Sequence, residues 1–409
     1  MGKLIVIFSR LYEIALAFLL LKIASDYLSP DEYARLNLFL AITQGIALFL
    51  ISPIQNWILV NNKQAIDGKW LSHILIFEFA YAIIVSVIAF TVLYAINFSM
   101  ITTNLFFVCI FIVSIVSPII IQTLVPIFNL VNISSVFVAL SVMNATLGFS
   151  MPILLVLSFE KNYEYWLLGM FSAQIIVSVF ALRFMIKKKI FSFNGDVLSL
   201  KKLPFKKILN FSLPLSFAVA FQWFNAQGFR LQLEDNITLY ALGSFIMGFS
   251  FGGKFLNAIE KVFSTVFMPG LYNRQKNVTI KRAWLQYFYK MTILYIVSSL
   301  ALYLFATQLY KLLIAEEYQS GLQYIAAGML FDMFRCILNS IYQYNMLTSR
   351  NNLQFICNAI ISLLIAIVIY FVFHYGISFN IFVYSMPFIM ASVAILCFFI
   401  NLVDKNEDC

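Results

Sequence analysis

Residues 182–210 read LRFMIKKKIFSFNGDVLSLKKLPFKKILN and form the longest polar interruption in a chain that is otherwise strongly apolar. The stretch contains a single acid, Asp196. Its basic residues are Arg183, Lys187, Lys188, Lys189, Lys201, Lys202, Lys206 and Lys207. It lies almost at the middle of the 409 residues, with six apolar segments before it and six after it. We therefore expect two six-helix halves joined by a basic connector.

The composition identifies the class of protein before any motif does. Hydrophobic residues make up 62% of the chain and charged residues only 11%, whereas a soluble domain carries about 25% charged residues. Apolar runs of roughly 20 residues match the length that a helix needs to cross a bilayer. Transmembrane barrels instead use alternating strands of about 10 residues. The composition thus predicts an all-α polytopic membrane protein with about twelve transmembrane helices.

The apolar segments also predict the domain organisation. Residues 1–186 form the N-terminal half, 187–209 the basic cytoplasmic connector, 210–403 the C-terminal half and 404–409 a cytoplasmic tail. The spans of the first half are expected near 4–24, 36–55, 71–96, 101–124, 133–158 and 165–186. Those of the second half are expected near 210–228, 237–258, 283–307, 322–346, 353–373 and 378–402. Prolines fall within or beside the fourth and fifth spans and can kink them: Pro118, Pro126 and Pro152.

The distribution of basic residues predicts the orientation of the chain. Fifteen lysines and arginines lie on one set of alternate loops, which includes the connector, and five lie on the other set. Because basic residues accumulate in cytoplasmic loops, both termini and the connector are expected to be cytoplasmic. This topology accounts for the formal charge of +9, so no nucleic-acid partner is expected. Apolar residues among the connector lysines also suit contact with anionic membrane lipids.

Charged residues inside the spans are the candidate functional groups, because such residues are costly unless they face a partner or a wet cavity. Arg10 and Glu13 lie three residues apart in the first span and share a helix face. Asp332 and Arg335 repeat this spacing in the tenth span. Each couple is either a structural ion pair or part of a site, and the spacing does not choose between them.

Lys254 is a deep basic residue with no acid on its own helix face. The positions three or four residues away hold Ser, Phe, Asn and Ala. Lys254 lies roughly 17 residues beyond Ile237, which is about 25 Å along a helix, so a cavity-facing role is predicted. Lys261, one heptad further, is expected to reach the cytoplasmic surface. Three glycines of this span either bend it or let a neighbouring helix approach closely: Gly248, Gly252 and Gly253.

The stretch SDYLSPDEYARLNLFLA at 25–41 resembles the first extracellular turn of the polysaccharide transporters in the multidrug/oligosaccharidyl-lipid/polysaccharide flippase superfamily. In that family a leucine, a small residue, proline and one or two acids precede an aromatic–glycine pair. The fitting residues are Leu28, Pro30, Asp31, Glu32 and Tyr33, while Ala34 departs from the glycine. The second half has similar elements in NFSLPL at 210–215, Arg230, LYALG at 239–243 and FMPGLY at 267–272. Phe229 stands where the family often has an acid.

The resemblance implies a flippase for O-antigen or a related surface polysaccharide, used in lipopolysaccharide biosynthesis at the bacterial cytoplasmic (inner) membrane. Its substrate would be a polyprenyl-diphosphate-linked oligosaccharide, with the headgroup held at the interface of the two halves and moved by alternating access. The predicted substrate-binding residues are Arg10, Lys254 and Arg335, since the headgroup is anionic. The predicted ion-coupling residues are Glu13 and Asp332, since a carboxyl group can bind and release a proton. Contact with glycan polymerase machinery is also expected.

No metal, cofactor or enzymatic activity is expected. His73 and His374 stand apart from any cysteine or carboxylate cluster, and no phosphate-binding glycine loop precedes a Lys-Ser or Lys-Thr pair. Five scattered cysteines are expected to be free thiols. Two other functions stay open. One is a drug/cation antiporter of the same superfamily, which would favour acids in its cavity, and the other is a membrane-embedded glycan polymerase or ligase.

Overall fold

The computed structural model describes residues 2–61, 71–96, 98, 104–131, 133–188, 190, 205–272, 279–348 and 350–403. Every regular element in these ranges is a helix. The α-helices are α1 Gly2–Tyr27, α2 Pro30–Ile46, α3 Ser52–Val60, α4 Leu71–Ala95, α5 Leu105–Leu130, α6 Ser134–Ser158, α7 Tyr163–Lys187, α8 Phe205–Trp223, α9 Phe229–Glu234, α10 Leu239–Tyr272, α11 Ile280–Leu313, α12 Ile325–Leu347, α13 Asn351–His374 and α14 Phe379–Val403.

Three short segments of other helical types continue these α-helices. A π-helical turn, Ala47–Ile51, joins α2 to α3, and a second one, Phe224–Gly228, joins α8 to α9. A 3-10 segment, Glu316–Tyr324, leads into α12. When these joined pieces are counted as single rods, the described ranges contain twelve rods. The all-α fold class with about twelve helices is therefore confirmed.

Ten helices of the described ranges are long and apolar enough to cross a membrane, so the chain is a multi-pass membrane protein. Helices suit this environment because each one satisfies its backbone hydrogen bonds internally, without water. Three rods begin five or six residues before the predicted span. The rod predicted near 36–55 starts at Pro30, the one near 210–228 at Phe205 and the one near 322–346 at Glu316. Pro118, Pro126 and Pro152 all lie inside continuous helices.

Contacts divide the chain into two compact units. The first contains Met1–Leu28 and Arg35–Trp223, and the second contains Ser29–Ala34 and Phe224–Cys409. Helix α8 begins the C-terminal half in the count of spans, yet its contacts place it in the first unit. The basic connector and the C-terminal tail, predicted at 187–209 and 404–409, lie largely outside the described residues.

The first unit is built around an apolar core between α3, α4, α5, α7 and α8. Its buried members include Trp57, Leu71, Phe128, Met185 and Ile208. The indole of Trp223, at the end of α8, donates a hydrogen bond of 2.9 Å to the Ala41 carbonyl oxygen on α2. These contacts explain why α8 belongs to this unit.

The second unit is organised by the packing of α10 against α12 and the 3-10 segment. Helix α10 is one continuous helix of 34 residues, so its glycines serve close approach and do not interrupt it. At Gly248 an added Cβ would overlap the Gly321 carbonyl oxygen. Tyr318 in the 3-10 segment is fully buried, and its carbonyl accepts a 2.9 Å hydrogen bond from the Tyr310 hydroxyl.

Gly248→Ala is expected to destabilise the second unit, because the new methyl group cannot fit against the backbone at Gly321. Overpacking of this kind costs about 1–3 kcal/mol. Gly148→Ala in α6 is the matched control, since an added Cβ meets nothing within 4 Å there. Thermal melting of the detergent-solubilised protein measures the difference. Equal melting temperatures for the two variants would contradict the close contact.

Candidate functional site

The second unit contains a cluster of charged and polar side chains on α9, α10 and α12. Arg230 on α9 donates to the Ser250 hydroxyl on α10 at 3.2 Å. Lys254, one turn after Ser250, lies close enough to Arg230 for their positive charges to repel each other. Asp332 on α12 acts on Arg230 with the opposite sign.

Arg335 is held by partners on two helices. Its Nε donates to Asp332 Oδ1 at 2.6 Å, and the side chains of Arg335 and Asp332 are 23% and 14% exposed. One of its terminal nitrogens also donates to Asn257 Oδ1 on α10. Asp332 packs directly on the backbone of α10, where an added Cβ at Gly253 would overlap Asp332 Oδ2. The glycine is therefore needed for this carboxylate to lie between the two helices.

Glu260 extends the cluster along α10. Its carboxylate accepts hydrogen bonds from Asn339 Nδ2 at 3.2 Å and from the Cys336 thiol at 3.3 Å, both on α12. The cluster thus brings together three basic residues and two acids, so its formal charge is positive: Arg230, Lys254, Arg335, Asp332 and Glu260.

Helical spacing explains why these side chains meet. On α10, Ser250, Lys254 and Asn257 follow one another at four and three residues, which places them on one face. On α12, Asp332, Cys336 and Asn339 repeat the same steps. Two polar stripes on packed helices therefore face each other and form interhelical hydrogen bonds.

Lys254 differs from the other charged residues of this cluster. Among the residues that the structure describes, it has no carboxylate at ion-pair distance, and the charged group that acts on it is another cation, Arg230. A cation held beside a second cation is an arrangement that an anion would stabilise, because opposite charge offsets both the repulsion and the loss of hydration.

The first unit contains a separate cavity between α1, α6 and α7. Its volume is about 230 Å³. The polar side chains that line it are Glu13, Asn144 and Gln174, and the remaining lining residues are Leu16, Ala17, Leu20, Ala145, Gly148, Phe149 and Met170. Gln174 also accepts a hydrogen bond of 2.9 Å from the Ser117 hydroxyl on α5. At this size the cavity is smaller than pockets of about 300–1,000 Å³ that bind drug-sized molecules, but it has room for water and a small cation.

The predicted site residues fall into two groups. Lys254, Asp332 and Arg335 lie in the cluster of the second unit, where Arg335 is engaged by Asp332 and Asn257. Glu13 lines the cavity of the first unit. The Arg10 side chain lies outside the described side chains. The roles of all five in substrate binding or ion coupling stay predictions.

Several members of the cluster escaped the sequence analysis. Asn257 and Ser250 were noted only because they are not acids, and Glu260, Cys336 and Asn339 were not singled out. The repeated steps of three and four residues on both helices were the available signal. This spacing identifies the members of the cluster only when it is known that α10 and α12 pack against each other.

Comparisons with known proteins locate the fold. No protein-family model matches the sequence, and no curated protein matches it. The structure is similar to that of an outward-facing multidrug resistance MATE family transporter of the MOP superfamily, with a TM-score of 0.62 and 12% identity over 98% of this chain and 94% of that one. An inward-facing structure of such a transporter gives a TM-score of 0.58 and 14% identity, over 97% of both chains.

A third similar structure is a MOP superfamily transporter from Pyrococcus furiosus, with a TM-score of 0.60 and 13% identity over 98% of this chain and 94% of that one. It is described as having a binding pocket of reverse polarity that suggests a different function. The chain therefore has the fold of MATE transporters of the MOP superfamily, the superfamily that its sequence patches resemble. The polysaccharide branch stays a prediction.

Replacing Asp332 by Asn is expected to destabilise the protein by about 3 kcal/mol or somewhat less, because it leaves the guanidinium of Arg335 without its buried counter-charge. The double variant Asp332→Asn/Arg335→Gln should recover part of this loss, since no uncompensated charge then remains. Thermal melting of the wild type, the two single variants and the double variant completes a double-mutant cycle, which gives the interaction free energy between Asp332 and Arg335. Additive effects would mean that the ion pair does not form.

Proposed function

We propose that this protein is a flippase that moves a polyprenyl-diphosphate-linked oligosaccharide, such as an O-antigen repeat unit, from the cytoplasmic to the outer leaflet of a bacterial inner membrane. The fold supports transport, because similar structures include both outward-facing and inward-facing transporters of the MOP superfamily. The substrate is inferred from the charges of the second unit and from the resemblance of residues 25–41 to polysaccharide transporters.

The observation that carries the proposal is Lys254 beside Arg230. Two neighbouring cations form a site for an anion with more than one charged oxygen, and a diphosphate offers several such oxygens. Arg230 also donates to Ser250, and this contact restrains its side chain beside α10. A site for an organic cation would instead need acids that outnumber the bases.

The remaining members of the cluster have supporting roles in this proposal. Arg335 contributes positive charge while Asp332 and Asn257 hold its position. Asp332 is the ion-coupling group, because protonation of its carboxylate would weaken the pair with Arg335 and increase the positive charge available to the headgroup. Arg10 is proposed as a further contact to the headgroup. Alternating access would carry the headgroup through a wet path while the lipid tail stays in the bilayer.

Lys254→Ala should lower flipping by roughly tenfold or more, because a hydrogen bond to a charged group contributes about 1.5–3 kcal/mol. Lys254→Arg should retain much of the activity, since it keeps the charge. Lys261→Ala is the matched control, because Lys261 lies on the same helix and is exposed. Arg10→Ala is tested in parallel, and each protein is checked for its amount in the membrane.

The measurement is the amount of complete lipid-linked repeat unit on each leaflet, in cells that lack the gene and in cells with each variant restored. Accumulation of complete units on the cytoplasmic leaflet supports flipping. If Lys254→Ala and Arg10→Ala both sustain wild-type surface glycan, the headgroup assignment is wrong. If unjoined single units reach the outer leaflet without the gene, the protein is a polymerase and not a flippase.

A second candidate function, a drug/cation antiporter, is favoured by the cavity around Glu13. An acid with Asn144 and Gln174 in a space of about 230 Å³ suits a small cation exchanged against the cargo. For this function, Glu13→Gln should abolish efflux of a lipophilic dye cation while leaving the protein in the membrane. Glu164→Gln on α7 is the control. Wild-type cells that show no dye efflux above the deletion strain would remove this candidate.

A further inference from the structure

A buried carboxyl group in the first unit takes no part in the function proposed above. Glu78 lies on α4 and is 0% exposed. The Thr123 hydroxyl on α5 donates to Glu78 Oε1 at 3.2 Å, and its distance to Oε2 is 3.5 Å. The side chain of Gln55 on α3 also lies close enough to act on this carboxyl group. Three helices therefore converge on one carboxyl group.

The surroundings of Glu78 do not suit a negative charge. Its partners are neutral, and no basic side chain of the described residues forms an ion pair with it. The residues beside this triad are apolar and buried in the core of the first unit: Ile54, Ile74 and Leu124. An ionised carboxylate without a cation is strongly disfavoured in such an environment, whereas a neutral carboxyl group with hydrogen-bond partners is tolerated.

Other titratable groups near Glu78 do not replace a counter-charge. On α4 itself, His73 lies five residues before Glu78, and Tyr81 lies three residues after it and carries no positive charge. Helix α3 has no titratable side chain, and Cys109 is the titratable residue of α5 and is exposed. On α8, Phe205 packs on Phe77 with ring centroids 5.2 Å apart. The lysines that follow Phe205 are both exposed: Lys206 and Lys207.

The triad lies where two rods have weakened helical hydrogen bonding. Gln55 follows the π-helical turn Ala47–Ile51, and its amide donates to the Ile119 carbonyl oxygen at 3.2 Å. Ile119 and Thr123 lie between Pro118 and Pro126 of α5, and each proline removes one backbone donor from the helix. Helices that bend do so at such points, so the triad lies at the places where a bend in these two rods is expected.

We propose that Glu78, Thr123 and Gln55 form a proton-binding site, in which Glu78 holds a proton in this conformation and releases it when the contact between α4 and α5 opens. The proton comes from water and returns to water, and no other bond changes. The Thr123 hydroxyl can accept the hydrogen bond of the neutral acid as readily as it donates to the carboxylate. In this proposal, binding and release of the proton drive the conformational change of the first unit. Only this coupling to transport rests on the proposed function.

The test is infrared spectroscopy of the full-length protein in lipid nanodiscs near neutral pH. Wild type should show the carbonyl band of a protonated carboxyl group, and Glu78→Gln should lose intensity equal to one such group. Glu160→Gln is the matched control, because Glu160 is exposed at the turn between α6 and α7, and it should leave the band unchanged. Identical bands in wild type and Glu78→Gln would overturn the proposal.

Thermal melting provides a second, independent reading. Wild type should lose stability relative to Glu78→Gln as the pH rises above about 5, because the unfolded chain then releases this proton while the folded chain keeps it. Glu160→Gln should follow the wild type. If Glu78→Gln melts far below wild type at neutral pH, the proposal fails, because glutamine reproduces the size and the acceptor of a neutral glutamic acid.

Leaflet measurements separate this proposal from the proposed function. Glu78→Gln should weaken the response of flipping to a pH gradient and leave the part that depends on Asp332, while Lys254→Ala should lower flipping at every pH. If the lipid-linked substrate proves wrong, the infrared and melting results still decide whether Glu78 holds a proton. If those results are negative, the headgroup site of the second unit is unaffected.

Discussion

The close contact between α10 and α12 is the interaction on which the second unit depends. Small residues let the two backbones approach, and this is how helices associate when lipid removes the hydrophobic drive between them. Gly328 on α12 meets the backbone at Phe249 on α10, and Gly253 leaves room for the Asp332 carboxylate. This approach aligns the polar stripes of both helices, so a contact made by glycine backbones determines which charged side chains share a site.

The low polarity between packed helices imposes a second constraint: a charged side chain there needs a partner that offsets its loss of hydration. Arg335 satisfies it with Asp332 and Asn257. Glu260 satisfies it with Asn339, Cys336 and the positive charge of Arg335 nearby. For Lys254, the charged group that acts on it is a second cation, Arg230. In the first unit, Glu78 has only neutral partners. These two departures from charge pairing are the places to which the proposed anion and the proposed proton are assigned.

The sequence names only some of the candidate residues, for a physical reason. Glu13, Lys254 and Asp332 stood out because charge inside an apolar run is rare and costly. The sequence could not show that Arg335 reaches Asn257, because the two residues are 78 positions apart. Glu78 looked like one lone polar residue among several, since its burial and its partners on α3 and α5 depend on how three helices pack.

The sequence by itself determined the class of protein, the all-α architecture and the approximate places of the twelve rods. Hydrophobicity is a local property of a segment, and the thickness of a bilayer converts it directly into helix length. Only the tertiary structure decided that α8 belongs with the first unit, that Ser29–Ala34 belongs with the second, and which polar groups meet. Those outcomes depend on the register and rotation of one helix against another, and contacts between distant residues set both.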